Sequence, residues 1–148
     1  MRHVSRILTL DSNVLVAALK KDEFYSERCS QILSKVPDVF VLSEPSIVYQ
    51  EVCGSLGRRV GEDVAETAKR HLDRIIYPRL LANCDKAFCL SAYPLCSEYD
   101  IYAIDAMYLK VALDSYAVMV SLDKEDFIDK VNSRGAGIEA YHVSEFPY

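Results

Sequence analysis

The chain has 148 residues, 51% of them hydrophobic and 26% charged, which is the composition of one globular domain over residues 1–148 and excludes a disordered tail protein. No apolar run reaches the ~20 residues that cross a bilayer. A formal charge of −5 disfavours nucleic-acid binding by bulk electrostatics, unless part of that charge is concentrated where a metal ion neutralises it.

In chain order, MRHVSRILTLD reaches an acidic residue too soon for a signal peptide, so a cytoplasmic location is expected. RILTL, bounded by polar residues, reads as a first strand, and Asp11 or Ser12 can cap a helix over 13–19. A second helix is expected over 24–35, with Phe24, Cys29, Ile32, Leu33 and Val36 on one face. The short apolar run VFVL, 39–42, suits a strand covered on both faces. Ser43 or Glu44 then caps a helix with Pro45 in its first turn and Ile47, Val48, Val52 and Leu56 on its apolar face. Gly57 and Gly61 frame a break before a helix over 62–81.

KAFCL, 86–90, reads as a third strand, and SAYPLCSEYDI as a helix with Pro94 in its first turn. A helix over 103–115, a strand over 117–122, a short helix over KEDFIDKVN closed by Gly135 or Gly137, and a last strand over 138–143 complete the pattern. Alternating strands and helices with short loops predict an α/β fold, a three-layer α/β/α sandwich around a parallel sheet. The five cysteines contain no C-x-x-C pair, so free thiols are expected, most of them buried. His3, His71 and His142 are scattered and have no metal-ligand spacing.

Ligands of such sheets bind at the carboxyl ends of the strands, where Asp11 and Asp123 both fall. Asp105 stands in the first turn of an otherwise apolar helix, and Glu51 beside the apolar face of another. Each acid also has an ordinary reading, as a cap, a turn residue or a solvated helix position. Together, converging carboxylates repel one another and call for a divalent cation. With no nearby Cys or His, hard oxygen ligands select Mg²⁺ or Mn²⁺, which suits phosphodiester hydrolysis.

LTLDSNVLVAAL, SIVYQEVCGSL, IYAIDAMYLKVAL and VMVSLDKEDF, taken in series, resemble the PIN domain over almost the whole chain, and most nearly its single-domain, toxin-like members. The resemblance implies a metal-dependent ribonuclease in which Asp11, Glu51, Asp105 and Asp123 form the acidic quartet, catalytic and metal-binding. It gives Ser121, Asn13 and Asp126 supporting places, and leaves Glu44, Asp100, Asp114 and Asp129 as solvated residues. It also implies a homodimer and an antitoxin partner. The pattern departs from many relatives at Ile101 and in the run of Tyr77, Tyr93, Tyr99 and Tyr102. Lys69, Arg70, Arg74 and Arg79 give a local positive excess that can grip RNA phosphates, although such a charge run usually marks a solvated face. Two alternatives stand beside this reading: an inactive PIN-like scaffold module, and a receiver-like or aspartyl-phosphate domain. The latter leaves Glu51 and Asp105 unexplained and finds Asn13 where a phosphatase needs a second Asp.

Overall fold

A computed structural model describes residues 6–148; His3 therefore lies outside the described residues. Strands β1 (Arg6–Leu10), β2 (Phe40–Leu42), β5 (Val118–Ser121) and β6 (Ala140–His142) form a parallel sheet in the order β2-β1-β5-β6. A separate two-stranded parallel pair joins β3 (Glu44–Pro45) to β4 (Leu81–Ala82). Leu8, Thr9 and Leu10 are all fully buried, and so is every residue of β5. Successive strand residues point to opposite faces, so the main sheet is covered on both sides, as a three-layer α/β/α fold requires. Helix α1 (Ser12–Leu19) packs on β1 and β5 and against α2 (Ser26–Leu33) and α3 (Ile47–Arg59). Helix α7 (Ala103–Ser115) packs on β1, β3 and β5.

Several local expectations are corrected. KAFCL lies in a helix, α5 (Lys86–Ala92), because Asp85 caps it: its carboxylate accepts the Phe88 N–H at 2.9 Å. The helix expected to run to residue 81 is α4 (Glu62–Ile75), with Ile76 extended ahead of Tyr77 and Pro78. A residue before proline is biased away from helix, so Arg79 falls in a separate 3₁₀ turn, Pro78–Leu80. The second helix covers only Ser26–Leu33. The stretch read as one short helix after Asp123 is a π-helical turn, Lys124–Ile128, followed by α8 (Asp129–Ser133). Helix α6 (Pro94–Tyr99) does place Pro94 in its first turn. All five thiols are free, but only Cys29 is buried and Cys89 is exposed.

Glu44 is the largest correction. It does not cap a helix in solvent: it is completely buried, on β3, where Oε1 accepts the Leu10 N–H at 2.7 Å. The segment 43–45 is extended rather than the start of α3, and that turns the carboxylate inward toward the end of β1. Asp100, Asp114 and Asp129 are exposed as expected, in ion pairs with Lys130, Lys110 and Lys124.

Candidate active site

The order of the main sheet sets the place of the site. β1 lies between β2 and β5, so the chain reverses direction across the sheet at the β1/β5 boundary. An open α/β sheet has its ligand crevice at such a point, beyond the carboxyl ends of the strands. Asp11 follows β1, and Asp123 lies two residues beyond β5; the Asp11 N–H donates to the Val120 carbonyl at 2.9 Å.

Ser121 ties these strand ends together. Its hydroxyl donates to Asp11 Oδ2 at 2.7 Å, while its oxygen accepts the Asp123 N–H at 3.0 Å and the Asn13 amide at 3.3 Å. Asn13 Oδ1 in turn accepts the Leu122 N–H at 3.1 Å. Asp11 occupies the N-cap position of α1, yet its side chain makes no capping hydrogen bond, so capping does not account for its burial. Asp123 does cap the turn that follows, accepting the Asp126 N–H at 3.1 Å. Asp126 itself is exposed.

The acids lie close enough to feel one another. Burial pushes the Asp11 carboxyl up to about 7, opposed by the Ser121 hydrogen bond and reinforced by the negative charges of Asp105 and Glu51. Burial also raises Asp105, to about 6, with further contributions from Asp123, Glu51 and Asp126. Glu51 Oε1 and Glu44 Oε2 are buried without a hydrogen-bond partner among the described residues, and so is the Tyr108 hydroxyl. Burial pushes that hydroxyl far up, as do the charges of Glu44, Glu51 and Asp11 and the approach of the Glu51 carboxylate to within reach of the hydroxyl proton. Buried oxygens without donors are costly unless a cation or a donor reaches them. The donor set is all oxygen, the set that Mg²⁺ and Mn²⁺ prefer. Among the described residues no three His, Cys, Asp or Glu side chains are already gathered as a ready-made metal shell. The acids thus share a neighbourhood in which Asp105 and Glu51 act on Asp11, and Asp123, Glu51 and Asp126 act on Asp105.

Lys69, Arg70 and Arg74 are exposed on α4, and Arg70 and Arg74 border a shallow cavity with Thr67 and Asp73. That cavity shares no lining residue with the one beside the acids, which holds about 320 Å³ and is bordered by Asn13, Glu51 and Arg59 among others. The sequence reading passed over Arg59. The signal was its spacing, since Glu51, Ser55 and Arg59 repeat every four residues along one stripe of α3. Of the tyrosines noted in the sequence, Tyr99 is buried with Ile101, whereas Tyr77, Tyr93 and Tyr102 are exposed.

A family model described as PIN domain matches residues 8–132. No curated protein matches the sequence. Among solved structures, the chain is similar to VapC20 of Mycobacterium tuberculosis, described as a sarcin–ricin loop cleaving toxin, with TM-score 0.66 and 15% identity over 80% of this chain and 91% of that one. VapBC2 of Rickettsia felis, bound to a DNA fragment from its promoter, gives 0.64 and 12% over 92% and 98%. FitAcB of Neisseria gonorrhoeae gives 0.63 and 16% over 95% and 99%. At these identities the structural likeness speaks for the fold.

Proposed function

Because the chain belongs to the PIN domain family, whose members are in general nucleases, we propose that it is a Mg²⁺- or Mn²⁺-dependent endoribonuclease acting as the toxin of a toxin–antitoxin pair. The observation that carries this reading is the mutual field of Asp11, Glu51, Asp105 and Asp123 at the β1/β5 switch point. In this reading Asp11, Asp105 and Asp123 hold the cation, and the unpartnered Oε1 of Glu51 coordinates it or orients the attacking water. The chemistry such an ion supplies is activation of that water and relief of charge on the leaving oxygen. Ser121 fixes the Asp11 carboxylate, and Asn13 braces the loop between Ser121 and Asp123. Asp126 adds negative charge beside Asp105. The products are a 5′-phosphate and a 3′-hydroxyl. Lys69, Arg70, Arg74 and Arg79 would then contact RNA away from the cut.

An antitoxin partner is proposed because similar structures are VapBC and FitAB complexes, and a homodimer on the family resemblance alone. Among the described residues no helix is long and apolar enough to cross a membrane. The test is cleavage of single-stranded RNA with Mn²⁺ beside calorimetric Mn²⁺ titration, in the parent and in Asp105→Asn. Cleavage and binding in the parent, both lost in the variant, are expected. A parent that binds no metal at millimolar concentration and leaves RNA intact would return the chain to the scaffold reading.

A further inference from the structure

The cavity beside the acids is a trough between α1 and α3. From α1 come Ser12 and Asn13, with Val16 and Ala17 beneath them; from α3 come Glu51, Ser55 and Arg59, and Leu122 closes one side. One end of the trough therefore holds a carboxylate of the candidate site, and the other the Arg59 guanidinium paired with Glu23, which also lines the cavity. Glu51 and Arg59 lie eight positions apart on α3, about 12 Å along the axis. Hydroxyls and an amide line the stretch between, over an apolar floor. The volume, about 320 Å³, falls at the lower end of the range for small-ligand sites.

Arg59 is held loosely. Its one ion pair among the described residues is with Glu23 at 3.5 Å, and its side chain is 57% exposed. The same guanidinium borders a second cavity, of about 540 Å³, together with Lys20 and Lys21. Lys20 is paired with Asp22 at 2.8 Å and Glu23 at 3.5 Å, while Lys21 is exposed. Lys20, Lys21 and Arg59 against Asp22 and Glu23 leave a net of one positive charge at this outer end, in a protein whose net charge is negative. A local cationic path out of an acidic centre matches a polyanion whose scissile bond lies at the acids and whose flanking phosphates lie beyond them.

We infer that the trough is a nucleotide subsite for single-stranded RNA, in which Arg59 takes a phosphate flanking the scissile one in exchange for Glu23, and Lys20 and Lys21 carry the strand onward. This rests on the nuclease reading but adds a site, a path and a displaced carboxylate to it. A guanidinium is suited to the task, since its fork meets two phosphate oxygens at once.

The test is fluorescence anisotropy with a labelled twelve-nucleotide single-stranded RNA, using full-length protein in the Asp11→Asn background so that the strand stays whole. Arg59→Ala should weaken binding about tenfold and lower the salt dependence by about one phosphate contact, with Arg59→Lys recovering part of the loss. Glu23→Gln should tighten binding, a change that a purely structural Arg59–Glu23 pair would not produce. Lys86→Ala, which removes an equal charge from α5, should stay within about twofold of the parent. Equal losses from Arg59→Ala and Lys86→Ala, or a loss seen with the matching DNA strand and not with RNA, would overturn the subsite. RNA binding that depends on Arg59, when the parent with Asp11 intact cuts nothing in the presence of Mn²⁺, would keep the subsite and remove the nuclease reading. Cleavage that survives Arg59→Ala with unchanged RNA affinity would do the reverse.

Discussion

Asp11 shows what burial does to one carboxylate. Its pKa is raised from 3.8 to about 7, and that of Asp105 to about 6, so both groups hold protons more tightly folded than unfolded. Their folded-state advantage is full below about pH 4 and is lost as pH rises through 6 to 7. The metal-free protein should accordingly melt at falling temperature between about pH 4 and pH 7, followed by circular dichroism. Asp11→Asn removes the largest part of that slope. A shift of this size corresponds to about 4 kcal/mol, so the metal-free variant should be more stable than the parent at pH 8. A less stable variant would restore Asp11 to an ordinary structural role.

Glu44 is an opposite case at the same scale. Removing its side chain strands the buried Leu10 N–H, at a cost of about 1–3 kcal/mol, so Glu44→Ala should lower the urea midpoint. Glu44→Gln keeps an acceptor for that N–H and should lose much less.

At the scale of elements, hydrophobic pattern and chain punctuation differ in how far they could be read. β1, β5 and α7 are apolar enough that their pattern survives any context, and they fold close to where the sequence puts them. KAFCL has no such period. Its five residues suit a strand or a helix equally, and the Asp85 cap decides for the helix. Asp85→Ala should cost about 1 kcal/mol, read as a lower urea midpoint with the slope unchanged. The end of α4 was legible in principle from Tyr77-Pro78, whereas β3 was not. A two-residue strand exists only because β4 lies beside it, and that partner is thirty-odd residues away in sequence. Misreading it made Glu44 look solvated.

For the whole molecule, the proposed cation site would link stability, pH and metal through the same carboxylates. A divalent cation that binds the folded state alone raises the melting temperature. It must also displace the protons held by Asp11 and Asp105. The Mn²⁺-induced rise in melting temperature should therefore be large at pH 8 and fade as pH drops through 7 and 6. In Asp105→Asn it should be small throughout. A rise independent of pH would place the bound metal elsewhere.

The alternation of strands and helices, the family resemblance, and the places of Asp11, Asp105 and Asp123 at strand ends and a helix start are legible along the chain. These follow from local periodicity, which needs no partner to be read. Which side chains meet across the fold is settled by packing alone: Ser121 bonding Asp11 over more than a hundred residues, Glu44 turned inward, and Arg59 at the far end of the trough that begins at Glu51. Burial and pairing are properties of surfaces brought together by folding. A residue's neighbours along the chain constrain them only where the element itself dictates the contact.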